Sequence, residues 1–427
     1  MPLLVRPLQL LQLLLVLCSG QTAQRRESES VVALDVDWPA FLGRHDPLWR
    51  WSQQLASEEG PPSSWEKSLF GGNAMLGFML WQPDNQTVRI DIGRADLYDD
   101  RTQAATPQAF TGDFVYDRPR LPIGHFIVQF SAPLTSASGR LGLWDAEAQY
   151  NVSTGGSAAT TTLRIWASAD HELADALVLE LGGTERPAVR WVAEPGDSFW
   201  MARTLAKSKV PCASRNMAKC ACGNRGVGYG LCKSCPHGCG SDEGCVLCNN
   251  YVSVLTACAK PKDKLCRLHS RDCRGQVPNP TPRTTSTTGD HGTLNVTTQP
   301  HLRGTAHSTA VLELSGRSAF VVSVSPVSAS AAAADVWASS QVTAAAAAGI
   351  ERVRTAHRAW WHAFWPAGGF LTYEYTVLES LFFLMQYKFA SAARRGRAFM
   401  DLNGPWLVSV DGGTNAPDVH WDWNIQG

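Results

Sequence analysis

This chain of 427 residues carries no net charge: Lys+Arg total 38 and Asp+Glu total 38. Nothing global therefore points to nucleic acid or to an anionic membrane surface as a partner. Long apolar runs are also scarce. Leu8 to Leu17 is one, preceded by Arg6. It is short for a membrane span, and no other stretch is long and apolar enough to cross a bilayer. Cysteine is nearly absent outside one region, since 11 of the 12 fall between Cys212 and Cys273. Disulfides thus have no part in most of the chain.

What is present begins with an export signature. Arg6, the apolar run and the small residues of Cys18-Ser-Gly or Gln21-Thr-Ala23 read as a signal peptide over residues 1–23. An uncleaved anchor and a lipoprotein box at Cys18 are the alternatives, the second disfavoured by Leu17 just before the cysteine. Asn85-Gln-Thr, Asn151-Val-Ser and Asn295-Val-Thr are acceptor patterns for N-glycosylation. Secretion is the expected localisation, with no stable membrane span after signal cleavage.

Residues 31–206 and 306–330 read as one β-domain. Ser68-Leu-Phe-Gly-Gly-Asn-Ala-Met-Leu-Gly-Phe-Met-Leu-Trp81 breaks the backbone at two glycines and an asparagine, then runs apolar. With the alternating Val88–Ile92 it predicts a hairpin across the turn Pro83-Asp-Asn85. Strands are expected at 125–130, 139–144, 158–166, 176–181 and 188–193, and a pair at 310–314 and 319–324 around Ser315-Gly316-Arg317. Many short strands without intervening helices predict a mostly antiparallel β-sandwich. Trp49-Arg-Trp51 reads as a short helix or an extended segment.

Residues 207–274 are different: 12 Lys/Arg stand against 4 Asp/Glu. Here lie Cys212, Cys220, Cys222, Cys232, Cys235, Cys239, Cys245, Cys248, Cys258, Cys266 and Cys273. A small disulfide-rich insertion is the main reading. Zinc held by two C-x2-C pairs, and a segment translated from non-coding sequence, are the others. No metal or cofactor is expected. Residues 275–305, rich in Pro, Ser and Thr, read as a linker.

After Pro326 the period changes. Alanine-rich residues 331–366 form a helical linker ending in Ile350, Val353, His357, Trp360, Trp361 and Phe364 at spacings of mostly three or four. Pro366-Ala-Gly-Gly369 stops it. A second helix, about Thr376 to Arg395, is apolar on nearly all sides and predicts burial in a larger helical assembly, with Gly396 as its cap. The last stretch, Asn403-Gly-Pro-Trp406 to Trp421-Asp-Trp-Asn-Ile-Gln-Gly427, sets aromatic faces beside amides. Stacking faces and short polar groups suit a sugar.

Phe70-Gly-Gly-Asn-Ala-Met-Leu-Gly77, Ile92-Gly-Arg-Ala-Asp96-Leu-Tyr-Asp99, His357-Arg-Ala-Trp-Trp-His-Ala-Phe-Trp365, Asn403-Gly-Pro-Trp406 and the closing Trp421-Asp-Trp-Asn-Ile-Gln426 together resemble glycoside hydrolase family 95 and its relatives. The resemblance covers about 31–195 and 306–427 and omits the cysteine module. It implies a β-sandwich, a helical linker and an (α/α)6 barrel, of which 367–427 would be the truncated start. It also implies inverting hydrolysis of α-L-fucosides or α-L-galactosides, in which one carboxylic acid protonates the leaving oxygen and a base activates water. The residues implied to line the substrate site are Asn403, Trp406, Trp421, Trp423, Asn424 and Gln426. Gln426 departs from the asparagine of the fucosidase pattern. The catalytic acid and base are expected beyond Gly427, leaving this chain inactive alone. A non-catalytic extracellular protein that binds oligo- or polysaccharide is the alternative.

Overall fold

The computed structural model describes residues 35–52, 63, 65–98, 120–155, 160–194, 196, 279–301, 304–397 and 404–406. Fourteen strands are described within them, in two antiparallel sheets. The smaller sheet contains β2 (Leu69–Gly72), β3 (Leu76–Trp81), β4 (Thr87–Arg94), β5 (Gly124–Gln129) and β10 (Ala188–Ala193), in the order β10-β5-β4-β3-β2. The larger contains β1 (Leu48–Ser52), β6 (Leu134–Gly142), β7 (Glu147–Thr154), β8 (Thr160–Ala167) and β9 (Leu177–Gly182). It continues with β11 (Arg283–Gly289), β12 (Gly292–Pro300), β13 (Ala306–Leu314) and β14 (Ala319–Val324). Its order is β1-β6-β7-β8-β9-β14-β13-β12-β11.

The two sheets form a β-sandwich. Period-two burial drives it: Ala148, Tyr150 and Val152 of β7 point inward, as do Leu163 and Ile165 of β8. Phe126 of β5 meets Phe320 of β14 across the layer, ring centroids 5.8 Å apart. The buried Tyr150 hydroxyl donates to Gln82 Oε1 at 2.9 Å. Strand β14 pairs with β9 in register Phe320↔Leu179. Strands before and after the cysteine segment thus share one sheet, while all 11 of its cysteines lie outside the described residues.

One expectation about the sheets needs correction. Residues 275–305 are not simply a linker: β11 and β12 form a hairpin, and β12 pairs with β13 over Gly292–Pro300. Threonine explains it, because β-branched side chains favour extended backbone and cross-strand hydroxyls pair. Thr284 and Thr297 do so at 3.0 Å. Of the two readings of Trp49-Arg-Trp51, the extended one holds: it lies in β1, paired with β6.

A short helix, α1 (Trp38–Gly43), precedes β1. Helix α2 (Ala331–Ala348) lies on the larger sheet. Its Ala338, Val342 and Ala345 are buried with Val178, Val296, Leu312 and Val321. Alanine allows this close approach, and Ser330 caps the helix by accepting from the Ala333 amide at 3.2 Å. Gly349, with φ 85°, breaks α2 from α3 (Ile350–Ala367). The buried stripe of α3 is Ile350, Val353, His357, Trp361 and Trp365. Trp360 and Phe364, expected on it, are half-buried beside it.

Helix α4 (Thr376–Ala392) is not buried all round. Phe383, Tyr387 and Ala390 are buried, whereas Val377, Leu378, Leu381 and Phe389 are exposed. It ends at Ala392 with Ala393 extended, so Gly396 sits in the following turn and is not the cap. No helix among the described residues is long and apolar enough to cross a membrane.

Candidate functional site: the junction of the glycine-asparagine turn with the Gly404–Trp406 segment

The turn between β2 and β3 is held by one side chain. Asn73 is fully buried. Its Oδ1 accepts from the amides of Met75 (3.1 Å) and Leu76 (2.8 Å). Its Nδ2 donates to the Ser168 carbonyl (3.0 Å) and to Asp175 Oδ1 (2.9 Å). All four hydrogen-bonding capacities of the amide are thereby used, which neither aspartate nor alanine can reproduce. The next residue, Ala74, has φ 73°, and its amide donates to the Ser391 carbonyl at the end of α4 (2.8 Å).

The glycines of the turn are there because partners press on them. A Cβ at Gly72 would stand 2.7 Å from the Ser391 carbonyl oxygen, and one at Gly77 would stand 2.9 Å from Pro405 Cγ. At Gly71 it would meet the Phe78 ring at 2.6 Å and the Tyr387 hydroxyl at 2.7 Å. The bare backbone thus receives α4 and the Gly404–Trp406 segment. Trp406 Nε1 donates to the Gly71 carbonyl at 2.9 Å, and Tyr387 donates to that of Phe70 at 3.0 Å. Burial pushes the Tyr387 phenol up in pKa, so it stays a donor.

Charged groups surround this contact. Arg94, at the end of β4, holds Asp96 through two hydrogen bonds of 2.5 and 3.1 Å and donates to the Val324 carbonyl at 2.7 Å. Arg120 donates to the carbonyls of Gly404 and Arg94. Asp175 lies between Arg94 (3.6 Å) and Arg397 (3.2 Å). Asp91 faces away into its own cluster, accepting from Trp81 Nε1 (2.7 Å) and Arg89 (2.6 and 3.0 Å). Burial raises its pKa, against Arg89.

Of the expected substrate residues, Trp406 is buried, at 8% exposure. Its ring is edge-on to Phe70 with centroids 5.2 Å apart, and its N–H is in use. This is a packing position that leaves no ring face for a sugar. Asn403, Trp421, Trp423, Asn424 and Gln426 lie outside the described residues, as does Asp99. Asn85 is exposed in the turn between β3 and β4. Asn151 and Asn295 sit within β7 and β12.

The two histidines of α3 are structural. His357 is buried; its Nε2–H donates to the Asp145 carbonyl (2.9 Å), and its Nδ1 accepts from the Ala169 amide (3.2 Å). Burial, then the Arg394 charge, lower its pKa to about 3. His362 stacks on Trp144 (4.1 Å) and contacts Asp145 Oδ1 (2.8 Å). No group of three or more metal-ligating side chains occurs among the described residues.

Arg120, Asp175 and Arg397 had no signal in the sequence. They lie far from the motifs in the chain, and only the fold brings them to Asn73 and Gly404.

No protein-family model matches the chain, and no curated protein matches it. Among solved structures, a candidate kojibiose phosphorylase from the human microbiome aligns at 8% identity and TM-score 0.34. The alignment covers 69% of this chain and 35% of that one, so the chain spans about a third of that structure's length. A superposition this loose carries no weight for function.

Proposed function

We propose that the chain is the β-domain, helical linker and first barrel helices of a secreted glycoside hydrolase resembling family 95. One observation supports this reading above others. The Phe70–Gly77 and Asn403–Trp406 motifs, more than 300 residues apart, meet at the Gly71 carbonyl. The glycines of the first motif leave room for the second and for α4. Both motifs were singled out for their likeness to one family, and their contact gives a physical reason for them to occur together.

In this reading the β-sandwich is a platform that fixes the start of the closing loop. Trp421, Trp423, Asn424 and Gln426 form a wall of the sugar site beyond it. Inverting chemistry needs a carboxylic acid and a base about 6.5–9.5 Å apart across the sugar ring. No residue of this chain is assigned either role.

The test is expression of the 427-residue chain in a secretory host, with and without residues 367–427. The expected result is binding to a glycan array that is lost on deletion, with no turnover of α-L-fucosides or α-L-galactosides. Turnover by the full 427 residues would overturn the assignment of the acid and base elsewhere. Binding that survives deletion would favour a non-catalytic polysaccharide-binding protein instead.

A further inference from the structure

Four guanidinium groups gather at the junction: Arg94, Arg120, Arg394 and Arg397. Two carboxylates face them, Asp96 and Asp175. Asp96 is taken up by Arg94. Asp175 is shared among Arg94, Arg397 and Asn73. Among the described residues, positive charge is therefore in excess at this junction.

Arg394 carries the clearest part of that excess. It makes no ion pair within 4.0 Å of a carboxylate among the described residues. Its Nε donates to the Ala390 carbonyl (2.7 Å) and its Nη1 to that of Ala169 (3.2 Å). The guanidinium lies over the Trp360 ring, 3.7 Å from its centroid. Its Nη2 is buried without a hydrogen-bond partner, and so is Nε of Arg397, three residues on. Burial, and next the Arg397 charge, lower the Arg394 pKa to about 9. Buried polar atoms are rarely left unmet, and an ion or water is a common explanation where they are. A buried cation whose counter-charge, Asp175, is already shared with Arg94 and Arg397 is a costly one.

We infer that Arg394 and Arg397 form a receptor for a small oxyanion of the phosphate, sulfate or carboxylate class. Arg394 Nη2 carries two unmet N–H groups and Arg397 Nε one, and donors of this kind suit the oxygens of a small oxyanion. Bound there, it would neutralise the excess charge and tie the chain just after α4 to the Trp360 face of α3. The anion would be free in solution or carried on an acidic sugar. The inference does not rest on the glycoside hydrolase reading.

The test uses the whole 427-residue chain at constant ionic strength. Sodium phosphate, sulfate and glucuronate are each titrated against chloride, following melting temperature and tryptophan fluorescence. A saturable rise in melting temperature is expected with at least one oxyanion. Phosphate or sulfate alone would identify a free inorganic ion, and glucuronate alone a sugar acid. Arg394→Leu keeps an apolar stem on Trp360 and is expected to weaken the response by about tenfold or more. Arg358→Gln, on another ion-pair cluster, should leave it unchanged. Should Arg394→Leu fail to fold, Arg397→Gln takes its place and is expected to weaken the response likewise, an unchanged response there also overturning the inference. No saturable response beyond chloride, or an unchanged response in Arg394→Leu, overturns the inference.

Discussion

The indole N–H of Trp406 reaches the carbonyl of Gly71 at 2.9 Å, across 335 positions of chain. Replacing Trp406 by phenylalanine keeps a ring beside Phe70 but leaves that carbonyl without its donor. A loss of about 1–3 kcal/mol is expected, the range for a buried group deprived of its partner. Trp406→Ala adds a cavity and should cost about 3–5 kcal/mol. Gly72→Ala should also destabilise, because its Cβ would meet backbone oxygens of Ser391 and Leu76 at 2.7 and 2.9 Å. Backbone moves less readily than a side chain. Urea unfolding of the three variants gives the ranking. Equal stability of Gly72→Ala and wild type would show that the turn does not receive α4 as described.

Asn73 allows a sharper chemical test. Asn73→Asp keeps the acceptor for the Met75 and Leu76 amides. It also sets a carboxylate against Asp175, whose Oδ1 is 2.9 Å from the present Nδ2, and against the Ser168 carbonyl. Like charges at that distance in a buried site are strongly unfavourable. The aspartate variant should therefore be no more stable than Asn73→Ala at pH 7, despite its nearer shape. Its deficit should shrink as pH falls and one of the two carboxyls takes a proton. Thermal melts at pH 5 and pH 7 check both statements.

His357 makes stability depend on pH in a predictable direction. Its folded pKa, about 3, lies below the ordinary value of 6.5 because the ring is buried. The native state therefore holds it neutral, while the unfolded state binds a proton below pH 6.5. Its contribution is fully present above pH 6.5 and is lost progressively as pH falls toward 3. The slope for one such proton is about 1.4 kcal/mol per pH unit. His307 and His45 are lowered too, chiefly by burial, so they add to the same slope. His357→Gln should be less stable at pH 7 yet flatter between pH 6 and 4. An unchanged slope in denaturant midpoints would mean that His357 titrates normally in the folded chain.

The sandwich was legible wherever apolar residues alternate or run together. Val88–Ile92 and 319–324 are strands for that reason. Strand β7 was overlooked although Ala148, Tyr150 and Val152 alternate, because polar Gln149, Asn151 and Ser153 dilute a short pattern. Strand β11 offers no pattern, since all seven of its residues are exposed. Only its pairing with β12 marks it. The Phe70–Gly77 motif contains Asn73 only as a break in the backbone, and Trp406, implied by the resemblance to line the cleft, packs edge-on to Phe70 with its N–H on the Gly71 carbonyl. Nothing in residue spacing says that Gly71 will present a carbonyl to it. Likewise the apolar composition of α4 does not reveal which side faces the sandwich.

That division of α4 predicts opposite mutational costs along a single helix. Phe383 is fully buried, with Phe41 5.1 Å away ring to ring and His45 stacked at 5.6 Å. Phe383→Ala should cost about 3–5 kcal/mol. Leu381, two residues earlier, is 52% exposed. Leu381→Lys should change stability by no more than about 0.5 kcal/mol and improve solubility. If Leu381→Lys proved as costly as Phe383→Ala in chemical denaturation, the exposed face would have to be covered in solution.

Glycan occupancy should separate the three acceptor asparagines if the chain enters a secretory pathway. Asn85 is exposed in the β3–β4 turn, a shape held by Asp84 Oδ1 accepting from the Gln86 amide at 2.8 Å. A glycan there displaces no contact of the sheet. Asn151 lies in mid-strand, where its Oδ1 accepts from Thr162 at 2.8 Å and from Gln149 at 3.1 Å. A glycan on Asn151 would crowd the neighbouring strand and disfavour folding of the chains that carry it. Asn295 is half-buried in β12 between Ser286 and Val311, strand neighbours on either side. In protein recovered folded from a mammalian secretory host, peptide mass spectrometry should find Asn85 occupied and Asn151 bare. Asn85→Gln should then remove most of the glycosidase-sensitive mass with little change in melting temperature. Full occupancy of Asn151 in folded protein would contradict the pairing of β7 with β8.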